Sequence, residues 1–266
     1  MTLSAKDCYL EGNLTAAISA ISEEISNEPN NANKRAFLVE LLCFNGDFDR
    51  ADKQLNALVI LDPSVALSVG TWRQLIRAAQ TRYDVYESGA IPEVIEAPTP
   101  RIQDSLALLL ALRENRTDDC AKLISKIDSK PNHEYSINNQ LVNGLRDLDD
   151  INAGIFEVMA SNGKYFWVDF SQVIELHFSP PERPLDLLWR KATISLINGT
   201  EGEVFIPSIY HGSKNDDAMK LGKKTDWVEH NSVINGQGLR TWLVGDEDLS
   251  IMDITSIINI QPAVTE

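Results

Sequence analysis

The most constraining feature of this 266-residue chain is an interval of 34 residues in its first part. Four landmarks recur at this interval: Gly12, Leu14, Ala17 and Pro29 return as Gly46, Phe48, Ala51 and Pro63. Glycine relaxes a turn between helices, and a small alanine lets two helices approach closely. Proline suits the first turn of a helix, where its missing N–H costs nothing. The interval therefore predicts repeated helix-turn-helix units.

The residues between these landmarks have helical periodicity. Apolar side chains fall on one face of each predicted helix: Leu14, Ala17, Ile18, Ile21 and Ile25 in the first unit, and Phe48, Ala51, Leu55 and Leu58 in the second. Each face needs a neighbouring helix to cover it. The period equals the tetratricopeptide length, so we expect tetratricopeptide-like repeats. Trp72 and Leu75 continue the pattern, but Gln80 stands where the next turn glycine is expected, which indicates a diverged third unit.

The chain changes character near residue 150. Residues 89–100 contain three prolines and predict a loop, after which helices are expected at 102–113 and 118–127. One more short helix is expected from Ile151 to Met159. Beyond it, β-branched and aromatic runs predict strands at 165–170, 173–178, 193–197, 202–210 and 239–244. We therefore predict an α+β protein with a helical repeat domain over 1–150 and a β-rich domain over 151–266.

Two further features support a β-rich second half. Asn198-Gly199 separates two predicted strands and favours a tight antiparallel hairpin, because both residues tolerate positive φ. Four of the five tryptophans also lie in this half, where they would bury a large area in a small core.

Composition narrows the classes of function. A formal charge of −15 opposes binding to nucleic acid, which relies on clustered Lys and Arg. The first residues lack the pattern of a signal peptide, and no apolar run is long enough to span a bilayer. Three distant cysteines suit reduced thiols, and the four histidines share no zinc-like spacing. We therefore expect a cytoplasmic protein without membrane insertion, metal or cofactor.

Several motifs of the second half occur together in one known family. They are Gly163 to Val168, Pro180-Pro181, Asp186 to Trp189, Gly202 to Pro207 with Tyr210, Leu221-Gly222 and Thr225 to Trp227, preceded by Arg146-Asp147 and Asp149-Asp150. In this order they resemble the ImpE family, also called TagJ or SciE, whose members begin with a tetratricopeptide-like half. Asp169 replaces a common proline of the family, and Lys223 replaces a common arginine, which weakens that position as an anion contact.

The resemblance implies a bacterial accessory protein of type VI secretion. Members of the family are similar in contacting the N-terminal helical segment of the small sheath subunit and in linking the contractile sheath to the ClpV disassembly ATPase. The resemblance thus implies a non-catalytic adaptor. Stacked helix pairs agree with it independently, since they leave a concave surface suited to a helix or extended peptide.

Alignment of the turn glycine and proline with the tetratricopeptide pattern selects a partner-binding groove. Its candidate residues are Asn33, Ala36, Glu40 and Phe44 on the second unit and Arg73 and Arg77 on the third. The alternative is that Phe44 packs in the core and the charged residues only solvate the surface.

Catalysis finds little support in the sequence. Gly236-Gln237-Gly238 lacks the lysine and context of a phosphate-binding loop, and the acidic residues at 147–150 and 246–248 suit exposed segments. A hydrolase or transferase remains the alternative, with Asp186, His211 and Asp226 as its candidate trio. In a third hypothesis, the helical half is an intramolecular support and the β-rich half binds the partner.

Overall fold

The computed structural model describes residues 3–130, 133–213 and 216–260. Its first part is helical and its second part consists mainly of strands, which confirms the predicted α+β class. The helices are α1 (Ala5–Glu11), α2 (Leu14–Asn27), α3 (Ala32–Phe44), α4 (Phe48–Leu61), α5 (Ala66–Ser88), α6 (Pro100–Arg113) and α7 (Thr117–Asp128), and the β-rich part adds the short α8 (Pro184–Leu188) and α9 (Asp217–Lys220).

The turns of the first two helix pairs lie where the 34-residue interval places them. Gly12 separates α1 from α2 and Gly46 separates α3 from α4, both with positive φ, which glycine adopts at little cost. The side chains of Asn13 and Asp47 then cap the following helices by accepting amide hydrogen bonds. The glycine and the capping side chain at each turn therefore determine where the turn lies.

The third predicted unit differs from this pattern. Helix α5 continues through Gln80 without a turn and ends at Gly89, which has a φ of +82°. The expectation of a helix pair here is therefore wrong, and a single helix of 23 residues takes its place. Glutamine is a good helix former, and α5 packs on β5 and β6 of the β-rich part as well as on α4.

The strands form three sheets. They are β1 (Glu93–Val94), β2 (Glu134–Ile137), β3 (Gln140–Asn143), β4 (Leu145–Asp147), β5 (Ile155–Ala160), β6 (Tyr165–Asp169), β7 (Val173–Phe178), β8 (Trp189–Leu196), β9 (Glu201–Pro207), β10 (Thr225–His230), β11 (Val233–Gly238), β12 (Thr241–Val244), β13 (Glu247–Ser250) and β14 (Ser256–Asn259). The large sheet has the order β1-β6-β5-β9-β8-β7-β14-β2-β3, beside a β13-β12-β4 sheet and a β10-β11 ribbon.

The predicted strands are confirmed, but the predicted helix from Ile151 to Met159 is wrong. A single 3-10 turn at Asp150–Asn152 leads into β5 instead. Because β5 lies inside the sheet and is buried on both faces, its nearly continuous apolar sequence resembles that of a buried helix. Strands also begin earlier than residue 150, since β2 starts at Glu134. The division into domains at 1–150 and 151–266 stays a prediction.

The Asn198-Gly199 hairpin connects β8 to β9 in antiparallel register, as predicted. Only Gly199 takes a positive φ, of +81°, and its amide bonds to the Leu196 carbonyl.

Two apolar clusters hold the fold together. One runs from the helices into the facing side of the large sheet and includes Trp167, Trp189 and Leu185. The other lies between the large sheet and the three-stranded sheet and includes Trp242. Since the first cluster contains residues of both halves, the helices pack on the β-rich part through a shared core.

Candidate functional site

The six residues predicted to form a partner groove lie in different environments. Asn33 and Arg77 are exposed, Ala36 and Arg73 are half-buried, and Glu40 and Phe44 are buried. Arg73 already has internal partners on α4: its Nε lies 2.7 Å from Asp52 Oδ1, and it also bonds to Asn56. The stem of Arg77 lies against Gly163 in the turn between β5 and β6. Arg73 is therefore engaged within the helical half, and Arg77 borders the β-rich half.

Glu40 lies under a segment that we call the bridging segment, residues 179–188, which connects β7 to β8 and contains α8. Leu185 of this segment is buried against the helical core, and the Arg183 guanidinium lies 4.5 Å from the ring centre of Trp72 on α5. Burial raises the pKa of Glu40 to about 7, although the Arg183 charge and the Leu185 amide oppose this shift. The bridging segment thus covers Glu40 on α3 and Trp72 on α5.

Beside the bridging segment lies a cavity of about 430 Å³. Both halves of the chain line it: Phe44, Phe48 and Tyr83 come from the helices, and Trp189, Tyr210 and His211 from the β-rich part. His211 is fixed by α5, because its Nε2 lies 2.8 Å from Glu87 Oε1 and its ring stacks on Tyr86 at 4.5 Å. Tyr83 remains 43% exposed, so the cavity has an accessible aromatic wall.

A cluster of buried charges lies deeper between the two halves. Arg240 bonds to both Asp147 and Glu157, and all three side chains are almost completely inaccessible to solvent. Arg82 reaches Glu157 from α5, with its Nε 2.7 Å from Oε1. Burial opposes ionisation of Glu157, but the charges of Arg82 and Arg240 outweigh it and hold its pKa well below the usual range. Two cations and two carboxylates therefore neutralise one another in the core.

The acidic residues around position 149 belong to this cluster, so the expectation that they form an exposed helix start is wrong. Asp147 accepts hydrogen bonds from Trp242 Nε1 at 2.9 Å and from the Tyr210 hydroxyl at 2.8 Å. Asp149 accepts the Gly236 amide of β11, and burial, reinforced by the Asp147 charge, raises the pKa of Asp149 to about 7. These carboxylates hold distant loops and strands together, which explains their burial.

Other motif residues join the same network. The Tyr165 hydroxyl donates to Glu157, and Trp167 Nε1 donates to the Tyr165 hydroxyl at 2.7 Å. Sequence reasoning did not identify Arg240 or Glu157, because each is a single charged residue with no motif around it, and Glu157 lies in the stretch that was predicted to be a helix. The network is a structural link between the halves.

The two positions that depart from the family pattern also contribute contacts between the halves. Asp169 accepts hydrogen bonds from Arg101 at 2.9 Å and from the Thr99 hydroxyl at 2.7 Å, which fastens α6 to β6. Lys223 donates to the Leu10 carbonyl near the end of α1 and lies 5.6 Å from the ring centre of Tyr9. Lys223 thus has a protein partner.

The alternative catalytic trio is engaged in separate local contacts. Asp186 accepts the backbone amides of Glu182 and Arg183, His211 pairs with Glu87, and Asp226 accepts the Trp227 amide. Within residues 3–130, 133–213 and 216–260, no group of three potential ligands could hold a metal ion. In the same ranges, no helix combines the length and apolarity needed to cross a bilayer.

Comparison with known proteins shows which family and which solved structure this architecture resembles. The sequence model of the family described as ImpE protein matches residues 139–258. The type VI secretion system accessory component TagJ of Pseudomonas aeruginosa is 27% identical over 263 residues, which span 97% of this chain and 91% of TagJ. Residues 139–258 belong to the ImpE family, and the chain is similar to TagJ over nearly its whole length. The crystal structure of protein VPA1032 from Vibrio parahaemolyticus shares its fold, with a TM-score of 0.90, 30% identity and 97% of each chain covered.

The family match covers most residues of the buried network and one side of the cavity. The matched region, 139–258, contains Asp147, Asp149, Glu157 and Arg240, which build the buried network. It also contains the bridging segment and the β-rich wall of the cavity. The helical half contributes the other wall, so the cavity is a feature of the whole chain.

Proposed function

We propose that this chain is a non-catalytic accessory component of type VI secretion that acts in the bacterial cytoplasm as an adaptor. It binds the N-terminal helical segment of the small sheath subunit and links the sheath to the ClpV ATPase. The observation that carries the proposal is the similarity to TagJ, which extends over nearly the whole of both chains. Similarity of this extent includes the helical half, where the sequence predicts the partner groove.

The cavity between the halves supports peptide binding. Its volume of about 430 Å³ can receive apolar side chains, and six of its sixteen lining residues carry aromatic rings. Apolar and aromatic anchors that enter such pockets supply most of the binding energy in many protein interfaces. We therefore place an apolar anchor of the sheath segment beside Phe44 and Tyr83.

The remaining predicted groove residues differ in how accessible they are to a partner. Asn33 and Arg77 are exposed and can contact a partner directly. Arg73 would have to leave Asp52, and Glu40 is covered by the bridging segment. The six-residue set stays a prediction, with Phe44 as its member at the cavity.

The test is a titration of the full chain with a labelled peptide from the N-terminal region of the small sheath subunit, followed by fluorescence anisotropy. We expect a Kd no weaker than tens of micromolar, a level that transient peptide complexes reach. Tyr83→Ala should weaken binding about tenfold, as expected for an anchor contact worth roughly 1.4 kcal/mol. Leu141→Ala is the matched control, because Leu141 is exposed on β3 and does not line the cavity.

Absence of binding at tens of micromolar by the folded chain would overturn the sheath partner. The link to ClpV is tested separately, by pull-down of ClpV with and without the sheath peptide. Failure to retain ClpV in both conditions would remove the linking role and leave peptide binding intact.

A further inference from the structure

The bridging segment is much longer than its connection requires. Strands β7 and β8 are antiparallel neighbours in the sheet, and a two-residue turn can join such strands. Instead, residues 179–188 leave the sheet, include three prolines, pack on α3 through α8 and reach Trp72 of α5 through Arg183. This excursion places a short peptide-like stretch on a surface formed by two helices of the N-terminal half, and helical-repeat proteins bind ligands on surfaces of this kind.

The contacts of the bridging segment resemble those of a bound peptide. Leu185 is the apolar anchor, only 1% exposed, and Arg183 stacks over Trp72. The Asp186 carboxylate accepts the amides of Glu182 and Arg183, so the segment holds its own turn. A preorganised turn with one aliphatic anchor needs few other contacts to dock.

The fit is nevertheless incomplete in two places. The Glu40 carboxylate is buried beneath the segment, where the Arg183 charge offsets only part of its desolvation cost. The Trp72 indole N–H, on a ring that Arg183 covers, has no hydrogen-bond partner among the described residues. An unpaired buried donor and a poorly compensated carboxylate both cost free energy, so another ligand could satisfy this surface better.

We propose that the surface between α3 and α5 is a peptide site and that the bridging segment is its resident ligand, which an incoming peptide displaces. The incoming peptide supplies an aliphatic anchor in place of Leu185, a backbone carbonyl for Trp72 and a basic side chain for Glu40. Leu188, the last residue of the segment, lines the cavity beside Trp189, so displacement joins the cavity to the surface beneath. This inference rests on the proposed adaptor function, because it states how the partner site is opened.

The first experiment supplies the resident ligand in trans. In a variant of the full chain, a short Gly-Ser linker replaces residues 180–187, and a labelled peptide with the sequence of residues 179–188 is added. We expect the variant to bind this peptide at least about tenfold more tightly than the unmodified chain, in which the site is occupied. The same peptide with Leu185→Asp is the control and should not bind. Equal binding to both proteins, or no binding to the folded variant, would overturn the inference.

The second experiment uses the unmodified chain, so it tests displacement of the bridging segment even if the linker variant does not fold. Hydrogen exchange of the unmodified chain is compared between the Asp186 amide, which bonds to the Arg183 carbonyl within the segment, and the amides of β8. A displaceable segment opens at lower free energy than the sheet, so Asp186 should exchange at least about tenfold faster than Ile194. Exchange at the rate of β8 would show that the segment leaves only on global unfolding.

The two proposals fail in different ways. If the sheath peptide binds neither the unmodified chain nor the linker variant, the proposed sheath partner is wrong. If it binds both with equal affinity, the adaptor function stands and displacement of the bridging segment is wrong.

Discussion

Arg82 and Glu157 form a bidentate ion pair between the two halves of the chain. Arg82 Nε and Nη2 lie 2.7 and 3.0 Å from the two carboxylate oxygens, and Glu157 is completely buried. The same guanidinium also donates to the Ile209 carbonyl at 3.1 Å. One side chain of α5 therefore bonds to a central strand and to the loop that carries His211, and the cavity wall depends on this contact.

Replacement of Arg82 by alanine should destabilise the protein strongly. Glu157 would keep Arg240 but lose half of its compensating charge, and removal of one partner of a buried pair costs about 3–5 kcal/mol. Urea unfolding monitored by circular dichroism measures the change. Arg50→Ala is the matched control, because Arg50 pairs with Asp47 at the surface and such pairs contribute less than about 1 kcal/mol. Equal losses in the two variants would contradict the assigned role of Arg82.

Local features of the fold could be predicted from the sequence. Gly12 and Gly46 mark turns because the backbone there needs positive φ, and the Asn198-Gly199 hairpin follows from the same local rule. The strand from Tyr165 was also visible, since alternating large side chains are a short-range signal. These features depend on neighbours in sequence, so a sequence pattern suffices.

The candidate site could be predicted only in fragments. Asp147 is buried because Arg240 and Trp242, 93 and 95 residues later, return to it, and no short-range pattern records such pairing. Likewise, Pro180-Pro181 was recognisable as a motif, but its sequence does not show that the following turn covers Glu40. Helix α5 was misjudged at Gln80 because its continuation depends on packing against β5 and β6. The sequence thus does not indicate that a segment of the chain itself covers α3 and α5.

Two glycines with similar φ should respond differently to alanine. Gly238 ends β11 with a φ of +83°, and a Cβ there would lie 1.7 Å from the Lys224 carbonyl oxygen. Gly199 has a φ of +81° but no atom within 4 Å of such a Cβ. Gly199→Ala therefore incurs only backbone strain of about 1–2 kcal/mol, whereas Gly238→Ala also forces β10 and β11 apart.

Thermal and urea unfolding of both alanine variants measures this difference. We expect Gly238→Ala to lose at least about 2 kcal/mol more than Gly199→Ala, as large losses accompany steric overlap with backbone atoms. Similar unfolding free energies for the two variants would show that the β10-β11 ribbon moves aside without cost.

Glu40 should make the stability of the protein depend on pH. Burial raises its pKa from an ordinary 4.5 to about 7 in the folded chain. Between these values the folded state binds more protons than the unfolded state, so stability decreases as pH rises from 4.5 to 7 and the full cost is present above 7. Glu40→Gln removes this titration, so the variant should be more stable than the unmodified chain at pH 8, by up to about 3 kcal/mol.

The advantage of Glu40→Gln should disappear below about pH 4.5, where Glu40 is protonated in both states. Urea unfolding of both proteins at pH 4, 5, 6, 7 and 8 gives the difference at each pH, and comparison within one pH cancels contributions from other groups such as Asp149. Glu23→Gln, on the exposed face of α2, controls for the loss of one negative charge and should show a nearly constant difference. The contrary result is a Glu40→Gln variant whose stability relative to the unmodified chain is lower at pH 8 than at pH 5. It would mean that Arg183 stabilises ionised Glu40 fully and that the surface beneath the bridging segment needs no further cation.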